Sequence, residues 1–320
     1  MRFSVIIPLY NKAPYVEKAL RSVMDQSFTD YEIIVVDDGS KDESASIAET
    51  ILKESTAKYQ LIRQENAGVS MARNNGVAHS QGDYLCFLDA DDWWDPSFLE
   101  EISSLIDKYP EAGIYGTSYT IVNETKHKTR VAPIGVETGF EKGYINYCQV
   151  YAKTLAMPLT SISVAIPRHV FVQMEGFPKG IKLGEDFLLW IRIALKYLVA
   201  FLNKPLAYYN QDSDSQWRAT GHLINPSYHM LWHLQFLEVE EKSNLDYKML
   251  IDRLRTYGLF PYYLSREYRD LARLELKKVD WDRQDANTKR LYDTSLFILK
   301  CRRLFFRIGS LIKQRVFKFI

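Results

Sequence analysis

The sequence predicts an α/β fold: a mostly parallel sheet with helices on both faces, followed by a helical C-terminal extension. Three observations carry this. Short continuous apolar runs alternate with helix-period segments through the first hundred residues. Two of those runs stop abruptly in aspartate clusters. Beyond about residue 215 no further buried-strand run occurs and the pattern turns helical. Repeated strand–helix units of this length build a parallel sheet whose crossovers lie on both sides.

Phe3 to Ile7 is an apolar run of the kind expected for a strand buried on both faces. Val16, Ala19, Leu20, Val23 and Met24 then recur at helical spacing. Glu32 to Val36 is a second buried strand, ending in Asp37-Asp38-Gly39-Ser40, and Ala45, Ala48, Ile51 and Leu52 mark a second helix. Tyr59 to Arg63 predicts a third strand, and Ser70 caps a helix reaching about Ser80. Tyr84 to Leu88 is a fourth strand, running into Asp89-Ala-Asp91-Asp92. Asp95-Pro96 opens a helix with Leu99, Ile102 and Ile106 on one face. From Gly113 to Thr138 the pattern is strand-like around a polar turn at Asn123 to Lys128. A helix over Glu141 to Leu155 and a strand over Thr160 to Ile166 follow. A helix from Phe187 to Tyr197 and a closing strand from Leu198 to Leu202 complete the pattern. The expected division is 1–215 for the sheet domain and 216–320 for the helical region.

Composition narrows the function classes. Lys and Arg number 41 against 40 Asp and Glu, for a net charge of +1. That balance argues against a dedicated nucleic-acid binder. Three scattered cysteines, Cys86, Cys148 and Cys301, argue against a disulfide framework and a zinc site. A strand begins at Phe3, leaving no room for a signal peptide, and no apolar run approaches a bilayer span. The expectation is an intracellular protein.

In an open parallel sheet, ligands bind beyond the carboxyl ends of the strands. Asp37-Asp38 and Asp89, Asp91 and Asp92 both fall there, and two carboxylate clusters at one sheet edge repel unless something compensates. A divalent cation with an oxygen shell, Mg²⁺ or Mn²⁺, is one compensator and would bring phosphate with it. The plainer reading is that Asp37 and Asp38 cap the following turn. Asp-x-Asp carries little by itself, since it recurs at Asp212/Asp214 and Asp280/Asp282. Between the clusters lies Asn66 to Gly76, where Gly68 permits a tight turn and Ala72 with Gly76 makes a helix face small enough to approach the sheet. Arg73 in that helix reaches a nucleotide or pairs with one of the aspartates; either role puts it at the site.

Phe3-Ser-Val-Ile-Ile-Pro-Leu-Tyr-Asn11, Ile33-Ile-Val-Val-Asp-Asp-Gly-Ser40, Asn66 to Gly76 and Gly82 to Asp92 resemble family 2 glycosyltransferases, motif by motif and in order. Gly176-Phe177 and Glu185-Asp186-Phe-Leu-Leu-Trp190-Ile-Arg192 resemble the family's Glu-Asp…Leu-Trp-x-Arg signature. The resemblance covers roughly residues 1 to 215. It implies a GT-A fold, a Rossmann-like arrangement, and inverting transfer of a sugar from a nucleotide-sugar donor, with UDP the usual nucleotide. It implies that Pro8, Tyr10, Asp38, Asn66, Arg73 and Asp89 serve the nucleotide-sugar, Asp91 the metal, and Asp186 as general base.

The acceptor expected from this resemblance is a hydroxyl of a cell-surface glycan or lipid-linked glycan. Two alternatives stay open: transfer to a polyprenyl phosphate, or a non-catalytic nucleotide-sugar-binding subunit of a membrane assembly. A processive Gln-x-x-Arg-Trp motif is absent, so one sugar per visit is expected, with His222 a loose candidate for the metal or diphosphate. Trp93 and Trp94 are candidate acceptor-stacking residues, and Trp190 reads as core. Lys300 to Lys318 holds seven basic residues and no acid on an amphipathic pattern. It reads as a peripheral contact with an anionic membrane at the inner face of the cell, with packing as a structural helix against a partner element the alternative.

Overall fold

The computed structural model describes residues 1–212, 223–295 and 298. The first four apolar runs form β1 (Phe3–Leu9), β2 (Tyr31–Asp37), β3 (Lys58–Arg63) and β4 (Tyr84–Phe87). Helices α1 (Val16–Met24), α2 (Ser44–Leu52) and α3 (Val69–Ala78) lie between them. A two-residue strand β5 (Trp93–Trp94), helix α4 (Phe98–Lys108), β6 (Ala112–Asn123) and β7 (Lys128–Val131) follow. Then come β8 (Lys142–Ile145), α5 (Tyr147–Thr154), β9 (Val164–Pro167), α6 (Arg168–Gln173), α7 (Glu185–Ala194) and β10 (Leu198–Asn210).

The strands form one sheet in the order β3-β2-β1-β4-β9-β6-β10-β5, with β7 beside β6 and β8 beside β10. Pairings β1–β2, β2–β3, β1–β4 and β6–β10 are parallel; those of β9, β5, β7 and β8 are antiparallel. This is the mostly parallel sheet with helices that the alternation predicted. Because β9 is antiparallel to both β4 and β6, strands β1, β2, β4, β6 and β10 all end at one edge. That edge is where the chemistry collects.

Small residues set the approach of α3. A methyl group on Gly76 would lie 2.5 Å from Ile6 Cγ2 and 3.2 Å from Val36 Cγ2, so the helix rests directly on β1 and β2. Phe3, Val5, Ile7 and Leu9 pack with Val16, Leu20 and Val23 and with Phe98, Leu99 and Ile102 in one fully buried cluster.

Three elements depart from the sequence reading. The helix expected over 141–155 is strand β8 followed by α5, because Lys142–Ile145 pairs with Leu202–Val199 of β10. The strand expected to begin at Thr160 is first a turn of 3₁₀-helix, Ser161–Ser163, held by the Thr160 and Ser163 hydroxyls acting on each other's backbone. β10 runs to Asn210 instead of stopping at Leu202, crossing Pro205 by a shift of register.

The chain divides into two compact units, Met1–His233 and Leu234–Ile320. The boundary expected after residue 215 falls among residues 213–222, outside the described set. The second unit is helical over its described part: Glu238–Ser243, Leu245–Gly258, Phe260–Leu264, Arg269–Leu276 and Ala286–Asp293. Its interior holds Arg255, 1% exposed, paired with Glu241 at 2.8 Å, while Lys248 bridges Glu241 (3.1 Å) and Asp252 (2.6 Å). A guanidinium that deep is tolerated because each charge has a partner. His222 and the basic segment 300–318 lie outside the described residues. Among those described, no helix is long and apolar enough to cross a membrane.

Candidate active site

The loop after β1 and the loop after β2 are tied together before any ligand enters. The Asn11 N–H donates to Ser40 Oγ (3.1 Å), and the Lys41 N–H donates to Asn11 Oδ1 (2.8 Å). Pro8 is the one half-buried residue of β1, Leu9 after it is buried, and Tyr10 projects into solvent, 44% exposed. Asp38 is buried, and its carboxylate anchors the 64–68 loop. Oδ1 accepts from Gln64 Nε2 (2.7 Å) and the Ala67 N–H (2.8 Å), and Oδ2 accepts from the Gly68 N–H (2.9 Å). Asn66 completes the latch, with Nδ2 donating to the Asp38 carbonyl at 3.0 Å. Three of about four lone-pair positions on this carboxylate are thus used within the protein. Gly68 stands at φ 89°, which L side chains rarely adopt, so its own N–H can face Asp38 while α3 begins.

Arg73 does what the plainer reading expected: it pairs with acids. It is 2% exposed, with Nη2 2.7 Å from Asp89 Oδ1 and Nη1 3.2 Å from Glu185 Oε1. Nη2 also donates to Ser161 Oγ (3.1 Å), and the guanidinium lies 5.0 Å from the centre of the Phe177 ring. Burial works against the charge, but Asp89 and Glu185 outweigh it and raise the Arg73 pKa above its ordinary value. One helix residue therefore links the end of β4, the Ser161 turn and the start of α7. Asn74 beside it clamps the same region, giving Nδ2 to the Phe177 carbonyl (2.9 Å) and taking the Phe177 N–H (3.0 Å). Arg192 donates to the Gly176 carbonyl at 2.8 Å, which explains why Gly176-Phe177 and Arg192 belong to one motif.

Asp91 sits with Lys12, whose ammonium is 2.6 Å from Oδ2. Asp92 points the other way. It is buried and accepts the Asn210 N–H at 2.7 Å, fastening the end of β10. Burial first, then Asp91 and Asp89, push its pKa well above the usual carboxylate range.

Asp186 lies half-buried in the first turn of α7. Burial and then Glu185 push its pKa up to about 7, against the pull of Arg73 and of the Phe187 N–H, which it accepts at 2.7 Å. A carboxylate that holds a proton at slightly acid pH and releases it near neutrality is suited to proton abstraction.

The structure brings Asp89, Arg73 and Asp186 into one connected group through Glu185, and Asp38 with Asn66 into a second. Trp94 is not available to an acceptor: it is 2% exposed, stacked on Phe98 at 4.2 Å, and its Nε1 donates to the Ile162 carbonyl. Trp93 stacks on Tyr208 (5.5 Å) beneath the Lys18 ammonium. Trp190 is fully buried, as read. Lys12, Gln64 and Ser161 do not stand out in the sequence, and Glu185 appears there only as part of the Glu-Asp signature, without a role of its own. Lys12 follows directly on the Pro8 to Asn11 motif, and Glu185 stands beside Asp186. Ser161 carries no local signal.

Among the described residues no group of three or more His, Cys, Asp or Glu converges to hold a metal ion alone. The donor chemistry at the end of β4 nonetheless fits Mg²⁺ or Mn²⁺. Asp89 and Asp91 present carboxylate oxygens there, beside the Lys12 ammonium, and such ions are commonly held by one or two carboxylates plus substrate phosphates.

The glycosyl transferase family 2 model matches residues 4–164. TuaG of Bacillus subtilis, named for teichuronic acid biosynthesis, is 30% identical over 223 residues, 68% of this chain and 83% of its own. GlyA of Streptococcus pneumoniae is 33% identical over 216 residues, 65% of this chain and 30% of GlyA. An uncharacterised glycosyltransferase of Rickettsia conorii is 30% identical over 206 residues, 64% of this chain and 32% of that protein. The chain spans about a third of the length of those last two relatives. Among solved structures, S. aureus TarS 1–349 in complex with UDP-GlcNAc superposes with a TM-score of 0.70 at 20% identity, covering 85% of this chain and 79% of that one. That likeness establishes a shared fold. By its ordered strand-end motifs and by these matches, the chain belongs to glycosyl transferase family 2.

Proposed function

We propose that this chain transfers one sugar from a nucleotide-sugar, UDP-linked, to a hydroxyl of a cell-surface or lipid-linked glycan, inverting the anomeric carbon. The observation that carries the reading is Asp186. It is a half-buried carboxyl with its pKa near 7, joined through Glu185, Arg73 and Asp89 to the acids at the end of β4. The TarS complex with UDP-GlcNAc and the naming of TuaG for teichuronic acid biosynthesis agree with the donor and acceptor classes.

In this mechanism Tyr10, Pro8, Asn66 and Asp38 form the nucleobase end of the site and Asp89 the ribose end. The loop latch on Asp38 makes base recognition depend on one buried carboxylate and the backbone around it. Asp91 would hold Mg²⁺ or Mn²⁺, which supplies charge neutralisation for the departing diphosphate when bound. Lys12, already against Asp91, adds a second positive charge on that side. Asp186 accepts the proton of the acceptor hydroxyl as its oxygen bonds to the anomeric carbon, and the carbon–oxygen bond to the diphosphate breaks on the opposite face. Arg73 holds Glu185 and Asp89 in place and limits how far the Asp186 pKa climbs.

A panel of nucleotides tests the donor side. UDP with Mn²⁺ should raise the melting temperature more than GDP or ADP does, by RT ln(1 + [L]/Kd). Asp91→Asn should remove the Mn²⁺-dependent part of that shift. Equal shifts from all three nucleotides would discard base recognition at Asp38, and an unchanged Mn²⁺ response in Asp91→Asn would discard the metal assignment.

The basic segment 300–318 accounts for attachment to an anionic membrane in the same reading, at about 1 kcal/mol per basic residue near the surface. Arg302→Glu, Arg303→Glu and Arg307→Glu together should abolish salt-sensitive flotation with anionic liposomes and leave the UDP shift intact. Undiminished flotation would move the membrane contact elsewhere.

A further inference from the structure

We propose that the β6–β7 hairpin binds an anionic acceptor chain, one carrying phosphate or carboxylate groups, beside the general base. This rests on the sugar-transfer reading above and adds the chemical class of the acceptor.

The segment from Asn123 to Val131 carries Lys126, His127, Lys128 and Arg130 against one acid, Glu124. Glu124 is engaged by Lys18 at 3.0 Å. All four residues of β7 are exposed. In the antiparallel register Ile121 faces Arg130 and Asn123 faces Lys128. Directly opposed residues project from the same side of the sheet, so Lys128 and Arg130 stand side by side, about 7 Å apart along the strand. Tyr119, two residues before Ile121, shares that side and is the diagonal neighbour of Arg130.

Tyr119 ties this surface to the chemistry. Its phenol is pushed up to about 12 by burial and then by Asp186, and pulled the other way by Arg130. The base and the guanidinium therefore act on one side chain from opposite signs. The hairpin stands at the sheet edge where β1, β2 and β4 also end, next to the acids of the site.

Charge explains why such a pair is placed there. The edge presents Asp89, Asp91, Asp92, Glu185 and Asp186, while Arg73 and Lys12 are bound to those acids. An anionic chain entering beside Asp186 meets repulsion unless cations hold its charges away from the acids. Among the described residues no carboxylate lies within ion-pair distance of Lys128 or Arg130. Two exposed cations on a sheet-paired strand are suited to neighbouring charges on a chain while its hydroxyl reaches Asp186.

The test is transfer kinetics of the full chain with three acceptors of equal length: a neutral glycan, a uronate-bearing glycan and a phosphodiester-bearing polyol. At low ionic strength KM for at least one charged acceptor should lie about 10-fold below that for the neutral one, and the gap should close with salt. Lys128→Gln with Arg130→Gln should raise KM for that acceptor 5- to 10-fold, with kcat, the neutral-acceptor KM and the UDP thermal shift unchanged. Whichever charged acceptor responds identifies the anion as phosphate or carboxylate. A preference for the neutral acceptor, or an unchanged KM in the double variant while transfer proceeds, overturns the proposal. Absence of any UDP shift and of transfer to all three acceptors overturns the sugar-transfer reading, and the acceptor assignment with it.

Discussion

Asp186→Asn should lower transfer to a hydroxyl acceptor by about 10²–10⁴-fold, the usual effect of losing a general base. UDP binding should be almost unchanged. The same substitution should stabilise the protein at alkaline pH. The folded-state pKa of Asp186, about 7, lies above the ordinary aspartate value. The native state therefore binds more protons than the unfolded chain between roughly pH 4 and 7, and stability falls as pH rises through that window. Asparagine cannot ionise, so it removes a cost on the order of 4 kcal/mol at pH 8 and none at pH 4. Melting curves should show the variant several degrees above wild type at pH 8, with the two converging at pH 4. It should retain the Oδ1 contact to the Phe187 N–H, since an amide oxygen accepts as well.

The activity profile carries the same signature. In wild type, kcat/KM for a hydroxyl acceptor should fall on the acid side with an apparent pKa near 7, because only the ionised carboxylate takes the proton. Full activity in Asp186→Asn would remove the base assignment and favour an acceptor that is already ionised, such as a polyprenyl phosphate. A variant whose margin over wild type is no greater at pH 8 than at pH 4 would mean that Asp186 ionises without strain.

Much of this architecture can be read from the chain because the inner strands are buried on both faces. β1 and β2 are apolar apart from Ser4 and Glu32, which hydrogen-bond to each other between the two strands, and the end of β2 follows from the acids that stop it. The outer sheet is harder. Lys142–Ile145 has neither alternation nor length, and it becomes a strand only by pairing with β10 more than fifty residues later. β10 itself is disguised by Asn203-Lys204-Pro205, where the register shifts before pairing resumes. The site divides the same way. Asp38, Asp89, Asp91 and Asp186 are conspicuous because a carboxylate directly after a strand, or at a helix start, has a chemical reason to be there. The partners that set their behaviour are distant in sequence. Lys12 meets Asp91 across 79 residues, and Arg73 meets Ser161 across 88 and Glu185 across 112. No local pattern encodes those distances. Trp94 shows the converse, since a conspicuous position after the acids turned out to serve the core.

Arg73→Met should be among the most destabilising substitutions of a site residue. The methionine fills similar volume against Phe177 but leaves Asp89 and Glu185 facing each other without their shared cation, and Ser161 without its donor. Breaking a buried ion pair by removing one partner costs about 3–5 kcal/mol, and Glu185, 14% exposed, is the acid left with the less water to take the place of Arg73. For a unit of this size that corresponds to a fall in melting temperature of roughly 10 °C at pH 8. At pH 5 the fall should be smaller, since protonation can relieve the stranded acids. Adding Glu185→Gln to Arg73→Met should recover part of the loss, because the two side chains form one interaction and their effects cannot add. It should also bring the acid limb of Asp186 back down, since Glu185 is the charged neighbour that raises it most. Thermal melts of the two single variants and the double at both pH values decide the matter. Strict additivity, or an Arg73→Met protein that melts with wild type, would show that Arg73 is not the strut between the end of β4 and α7. The nucleotide reading of this arginine would then be the one to pursue, through UDP titration of the same variant.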